Sequence, residues 1–322
     1  MKNKKSKKEK VEELLRKGNQ CLEEDEYEEA LKIADELEEL GETQAFEIAG
    51  KAYELQDNLE EAAAVLKRGV EKYPKAWPNW MILGNLLSNM GENEEAEDAY
   101  KTALACPDVE KDPVVLNQAI HAFQTDRFDE AMELLSGITS DYLEVDKREV
   151  QIAVYRMKNE NIEALKLAAE TLTTPFDIEE HGEALGRIAA SACKILLLEG
   201  EDKEKIRQLA KSALEDYGDV PWLFAVLCEI DGQYSPEAHY FRLVLKVELP
   251  ETEEKEEEAR DYFINYDVVA DSEEEALGYV MKLEEGEFAS TALDYSEKIE
   301  PRPEDAKGVY SRSEIYYVID EE

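Results

Sequence analysis

Histidine is scarce in this chain. There are three in 322 residues, His121, His181 and His239, and none lies three or four positions from another histidine or a cysteine. A metal site on one helix needs its ligands on one face at that spacing, so the sequence argues against such a site. Also missing are the glycine loops that cradle phosphate, GxxxxGK(S/T) and GxGxxG, and the GxSxG turn that presents a nucleophilic serine. Carboxylate pairs are everywhere. In runs such as EEDEYEE and NEEAED they read as solvated helix faces, without the apolar, water-poor setting a catalytic carboxylate needs. The expectation is a chain with no catalytic residue, no metal and no cofactor, and not an enzyme.

Long apolar runs are lacking too. No stretch approaches the roughly 18 residues of a membrane-spanning helix, and the N-terminal residues have no apolar core of the kind a secretory signal carries. The four cysteines, Cys21, Cys106, Cys193 and Cys228, are widely spaced, form no CxxC pair and sit in apolar helical patterns. They read as small core residues in a reducing compartment, so a cytoplasmic location is expected. Basic residues are outnumbered, 37 against 78 acidic ones, for a net charge of −41. A body this negative repels nucleic acid and anionic membrane surfaces, so neither is expected as a partner. The same charge keeps exposed helix faces soluble.

What the sequence does have is repetition. Residues 1–10, MKNKKSKKEK, show no hydrophobic periodicity and repel one another, which predicts a disordered basic tail ending where Val11 opens an apolar pattern. Further on, residues 46–74 (FEIAGKAYELQDNLEEAAAVLKRGVEKYP) and 80–107 (WMILGNLLSNMGENEEAEDAYKTALACP) share one grammar. A bulky residue (Phe46, Trp80) is followed four positions later by glycine (Gly50, Gly84). Three later comes a large apolar residue (Tyr53, Leu87), and nine later alanine (Ala62, Ala96). Antiparallel helices approach closely only where side chains are small, so Gly50 is expected to face the region near Ala62 and Gly84 the region near Ala96. Polar turns (QDNLEE, MGENEE) separate the helices, and Pro74 or Pro107 lies near the end of each second helix.

This pattern resembles the tetratricopeptide repeat family. Weaker copies flank the clear ones: residues 11–42 keep Leu14, Gly18 and Ala30, and 112–141 keep Ala119, Ala122 and Ala131. Ala30, Ala62, Ala96 and Ala131 recur close to the family's ~34-residue period. A divergent fifth copy, 144–172, keeps Tyr155 and Ala164 but places Arg148 and Gln151 where apolar residues are usual. Residues 177–199 read as a longer helix with a small-residue stripe (Gly186, Ala189, Ala190, Cys193), and 202–217 as its partner. DVPWLFAVLCEI, 219–230, is apolar on nearly all sides and is expected to be a lid closing the stack.

The resemblance implies a mainly α fold, a tetratricopeptide-type α-solenoid of antiparallel helix pairs over 11–235. It implies a non-enzymatic scaffold holding a protein or peptide in a concave groove lined by the first helix of every hairpin. Carried onto this sequence, the groove positions are Leu15, Asn19 and Glu23; Glu47, Lys51 and Leu55; Met81, Asn85 and Asn89; and Leu116, Ile120 and Gln124. Asn19 and Asn85 stand out because an amide can pair with the backbone of an extended peptide. The family's carboxylate clamp for chaperone tails is not implied. Leu15, Ile48, Pro78 and Ile82 stand where its asparagine and basic residues belong.

From residue 236 the period changes from helical to alternating. Residues 240–249 and 261–270 read as strands joined by the charged loop PETEEKEEEAR. Asp271 or Ser272 can cap a helix whose apolar face is Ala276, Leu277, Val280, Met281 and Leu283. Two more strands, 288–299 and 309–319, would complete a small α+β domain of ββαββ order over 236–322. The charge also motivates a second functional reading, an acidic inhibitor or immunity-type protein that neutralises a basic partner. Oligomeric state is not legible.

Overall fold

The computed structural model describes residues 7–248, 259–283, 290–299, 305–312 and 316–319. The chain falls into two compact units, Met1–Val150 and Gln151–Glu322.

Unit 1 is a row of helical hairpins: α1 (Lys7–Glu23) with α2 (Tyr27–Glu39), α3 (Gln44–Leu55) with α4 (Leu59–Lys72), α5 (Trp77–Asn89) with α6 (Asn93–Ala105), and α7 (Lys111–Gln124) with α8 (Phe128–Ser136). The division falls within α9 (Glu144–Met157). Part of the segment expected as a disordered tail is helical, because α1 starts at Lys7. Lys7, Lys8 and Lys10 reach Glu42 at 3.1 Å, Glu12 at 3.7 Å and Glu36 at 3.2 Å, which offsets the like-charge repulsion of the run. Residues 1–6 lie outside the described residues.

Each hairpin turn is built the same way. Asp25, Asp57 and Asp126 adopt left-handed backbone angles (φ 57–59°), and Gly91 does so at φ 78°. The next residue's N–H reaches back to the carbonyl five positions earlier: Glu26 to Cys21, Asn58 to Tyr53, Glu92 to Leu87 and Arg127 to Ala122, all at 2.8–2.9 Å. This is the Schellman arrangement, which satisfies carbonyls that a helix end leaves open. Short polar Asp tolerates the left-handed region better than most residues with a side chain, and Gly tolerates it best.

The repeating alanines sit where the two helices of a hairpin touch. Ala30, Ala62, Ala96 and Ala131 are all 0% exposed. The repeat glycines face the residue one helical turn beyond the alanine rather than the alanine itself. A Cβ on Gly50 would meet Leu66 at 3.0 Å, and one on Gly84 would meet the ring of Tyr100 at 2.7 Å. The first helix therefore lies against a large knob, and the absent glycine side chain makes room for it.

Unit 2 opens with α10 (Asn161–Leu172), α11 (Ile178–Leu198), α12 (Lys203–Tyr217) and α13 (Pro221–Asp231). Asp177 and Asp202 cap α11 and α12, each accepting from the backbone N–H two residues on at 2.9 Å. Next come strands β1 (His239–Glu248) and β2 (Ala259–Ala270), helix α14 (Glu273–Leu283), and strands β3 (Ser290–Ile299), β4 (Gly308–Arg312) and β5 (Tyr316–Ile319). The antiparallel sheet runs β3-β1-β2-β4, with β5 also on β2. The expected fourth strand pairs along β2 at both ends, β4 beside Tyr266–Val269 and β5 beside Ala259–Phe263, and residues 313–315 between them lie outside the described residues. Counting the two segments on that shared register as one strand, the order is the expected ββαββ. The charged loop at 249–258 lies outside the described residues.

Alternation along the strands buries Phe241, Leu243 and Leu245 of β1 with Ile264, Tyr266 and Val268 of β2. Ala276 and Val280 of α14 cover them, while Met281, expected on that face, is 43% exposed. Helix α13 is not a lid at the end of a stack. Its Phe224 joins the sheet core beside Val309, and its Leu223, Val226 and Ile230 join the core of α11 and α12. A helix apolar all round needs cover on more than one side, and the sheet supplies the second cover. The cysteines are all buried and unpaired, and burial pushes the thiols of Cys193 and Cys228 up to about 11 and about 12.

Candidate functional site

Successive first helices of unit 1, α1, α3, α5 and α7, present one face each to a groove of about 620 Å³. Helical spacing selects the lining: Leu15, Asn19 and Leu22 on α1, Glu47, Lys51 and Glu54 on α3, Ile82, Asn85 and Asn89 on α5, and Asn117, Ile120 and Gln124 on α7. Residues three, four and seven apart share a helix face, so these triplets are single stripes.

Eight of the twelve groove residues expected from sequence come together here: Leu15, Asn19, Glu47, Lys51, Asn85, Asn89, Ile120 and Gln124. Four do not, and of these Glu23 is exposed and outside the lining. Leu55 is 44% exposed and outside the lining, and Leu116 is 7% exposed, packed with Ala119 and Leu135. Met81 packs on the core of α5 and α6, where its sulfur accepts from Asn117 Nδ2 at 3.5 Å. The cause is a drift of the stripe. On α1 and α3 it begins three residues before the glycine (Leu15, Glu47). On α5 and at the matching Ala119 of α7 it begins two before (Ile82, Asn117).

Polar groups in the groove divide into tied and free. Tyr100, on the second helix of its hairpin, donates its hydroxyl to Asn85 Oδ1 at 2.9 Å. This fixes the amide and leaves its nitrogen for another acceptor. Ser88 donates to Gln124 Oε1 at 2.9 Å and sits 2.7 Å from His121 Nδ1. With the Ser88 proton committed to Gln124, His121 Nδ1 carries the hydrogen between them, and Nε2 is a bare acceptor. His121 is 2% exposed, Nε2 has no partner, and burial holds its pKa below the usual imidazole range. Lys51 pairs with Glu54 at 3.1 Å, and Glu54 also accepts from Asn89 at 3.3 Å.

Glu47 differs from these. It lines the groove half-buried, and desolvation raises its pKa above the ordinary carboxylate value. The charged form is thus disfavoured in the native state, and the sign of the pH dependence follows. Above the raised native pKa the full penalty applies. As pH falls, the native state takes up the proton first, and the penalty is gone below the unfolded-state pKa. Glu47→Gln is therefore expected to raise the thermal midpoint at pH 7, with the gain shrinking to nothing as pH falls through the carboxylate range. Melting curves for both proteins across that range check it; a lower midpoint for the variant at pH 7 would contradict the desolvation account.

Sequence reasoning missed Tyr100, Ser88 and Glu54 as groove residues. Tyr100 had a legible signal, a bulky residue one turn beyond the repeat alanine and opposite the glycine. Among the described residues no group of three or more His, Cys, Asp or Glu is placed to hold a metal ion, and no helix is long and apolar enough to cross a membrane.

No protein-family model matches the sequence, and no curated protein matches it. Solved structures do. A tetratricopeptide repeat protein from Parabacteroides merdae superposes with a TM-score of 0.50 at 15% identity, over 69% of this chain and 85% of its own. Pseudomonas aeruginosa pilF gives a TM-score of 0.46 at 18% identity, over 58% of this chain and 82% of its own. With its registered alanines, glycines and hairpin turns, the chain is mainly α, a tetratricopeptide-type helical solenoid followed by a small α+β element.

Proposed function

We propose that unit 1 binds an extended segment of a partner protein in the groove of α1, α3, α5 and α7, and that the chain is a non-enzymatic, cytoplasmic scaffold. The observation that carries this is Asn85, a groove amide oriented by Tyr100 through its oxygen with its nitrogen left unpaired. Asn19 on α1 likewise has no hydrogen bond to the protein among the described residues. Amides spaced along an apolar wall of Leu15, Leu22, Ile82 and Ile120 suit a peptide backbone with alternating apolar side chains. The charge of −41 works against a nucleic-acid or anionic-membrane partner.

The test compares proteins retained from native lysate by wild type and by the Asn19→Ala/Asn85→Ala double variant. Two lost hydrogen bonds of about 1 kcal/mol each predict an affinity roughly tenfold or more weaker for the groove partner, with an unchanged helical circular dichroism spectrum. Partners retained equally by both proteins would place binding elsewhere.

A further inference from the structure

Three charged side chains line the groove: Glu47, Lys51 and Glu54. Lys51 and Glu54 neutralise each other at 3.1 Å. Glu47 has no hydrogen bond or ion pair among the described residues and shares the lining with Leu15, Ile48 and Ile82. Among the described residues the groove therefore holds one uncompensated negative charge in a partly desolvated setting on α3, with the Asn19 amide of α1 and the open Asn85 nitrogen of α5 on either side. A carboxylate already stripped of much of its water bears part of the desolvation cost of pairing before any ligand arrives. A cation that reaches it gains more than one meeting a fully hydrated surface glutamate.

We infer that the groove of unit 1 takes a peptide segment bearing a lysine or arginine whose side chain pairs with Glu47, while Asn19 and Asn85 hold the backbone around it. This deepens the peptide-binding reading above and rests on it. The occupant is a basic or amphipathic segment of another protein, consistent in sign with the acidic chain as a whole. An acidic segment is disfavoured, because Lys51, the one cation in the lining among the described residues, is already held by Glu54.

The experiment selects short random-sequence peptides displayed on phage against the full chain, then titrates one labelled winner. Titrations use wild type, Glu47→Gln, Asn85→Ala and Glu60→Gln, the last a charge-matched control at an exposed position of α4. Expected are winners with lysine or arginine at a shared position, and about tenfold weaker binding either on changing that residue to glutamine or on Glu47→Gln. That factor corresponds to one charge-assisted hydrogen bond. Making both changes should cost little more than one, the mark of a direct pair. Glu60→Gln should have no effect. Winners that depend on Asn85 but show no basic preference and ignore Glu47→Gln would overturn the cation assignment and leave the groove standing. Equal losses for Glu47→Gln and Glu60→Gln would reduce the effect to bulk charge and overturn it as well. No winners, or winners indifferent to both Asn85 and Glu47, would sink the groove reading itself.

Discussion

Tyr100→Ala is expected to destabilise unit 1 by about 3–5 kcal/mol, the cost of emptying a buried aromatic site. Tyr100 is 1% exposed and sits across from Gly84, where a Cβ would lie 2.7 Å from its ring. The ring lies 6.0 Å from that of His121 and belongs to the core shared by Leu83, Leu87, Ala96 and Val114. Its removal leaves a void that helices pinned by glycine-to-ring contact can close only in part, so transfer and cavity terms add. Tyr100→Phe isolates the hydroxyl. It keeps the packing and should cost about 1 kcal/mol for the lost bond to Asn85. It also releases the Asn85 oxygen, so groove affinity should fall even though the phenol hydroxyl is spent inside the protein. Urea unfolding of the full chain, read at the transition that tracks unit 1, measures both. An alanine variant within about 1 kcal/mol of wild type would show that the site collapses freely, contrary to the packing described.

Gly308→Ala should cost unit 2 about 3 kcal/mol, the sum of two separable effects. The first is conformational: Gly308 has φ of +147°, which residues with a side chain rarely adopt. The second is steric, since a Cβ there would come 2.6 Å from Cys228 Sγ. That thiol is buried in α13 and donates to the Val309 carbonyl at 3.2 Å, so it has little room to withdraw. Adding Cys228→Ala to Gly308→Ala opens the space but leaves the backbone strained. The double variant should therefore be less destabilised than the sum of the singles, by the steric share alone. Strict additivity would mean that the two positions do not meet. The strand is otherwise well anchored. Lys307 reaches Glu275 at 2.7 Å and Asp271 at 3.1 Å, and Arg312 grips Asp219 with two contacts at 2.7 and 2.8 Å.

These sites also show what could be read from the chain alone. The alanines that set helix contact were legible because a fully buried position tolerates little else, and repetition exposed them. The glycines were legible too, but their partners were misplaced by one turn. Sequence gives the small residue and not the direction in which the neighbouring knob points. Groove positions copied at fixed offsets from the glycine placed Leu15, Asn19, Glu47 and Lys51 in the lining and slipped at Glu23, Leu55, Met81 and Leu116. The one-residue shift of the lining on α5 and α7 belongs to packing and leaves no mark in spacing. Helix α13 was rightly read as buried and wrongly as terminal, because hydrophobicity reports that a surface is covered and not what covers it.

The shared backbone of the hairpin turns has a consequence for how such a protein can be lengthened or shortened. Asp57 and Gly91 bound one whole hairpin-to-hairpin step in the same left-handed conformation, each followed by the same reach-back bond. Cutting out the stretch between them would join ends that already match, and copying it in would do the same. The length of the groove is thus set by how many such steps are strung together, a quantity that can change in whole units while every individual turn stays as it is.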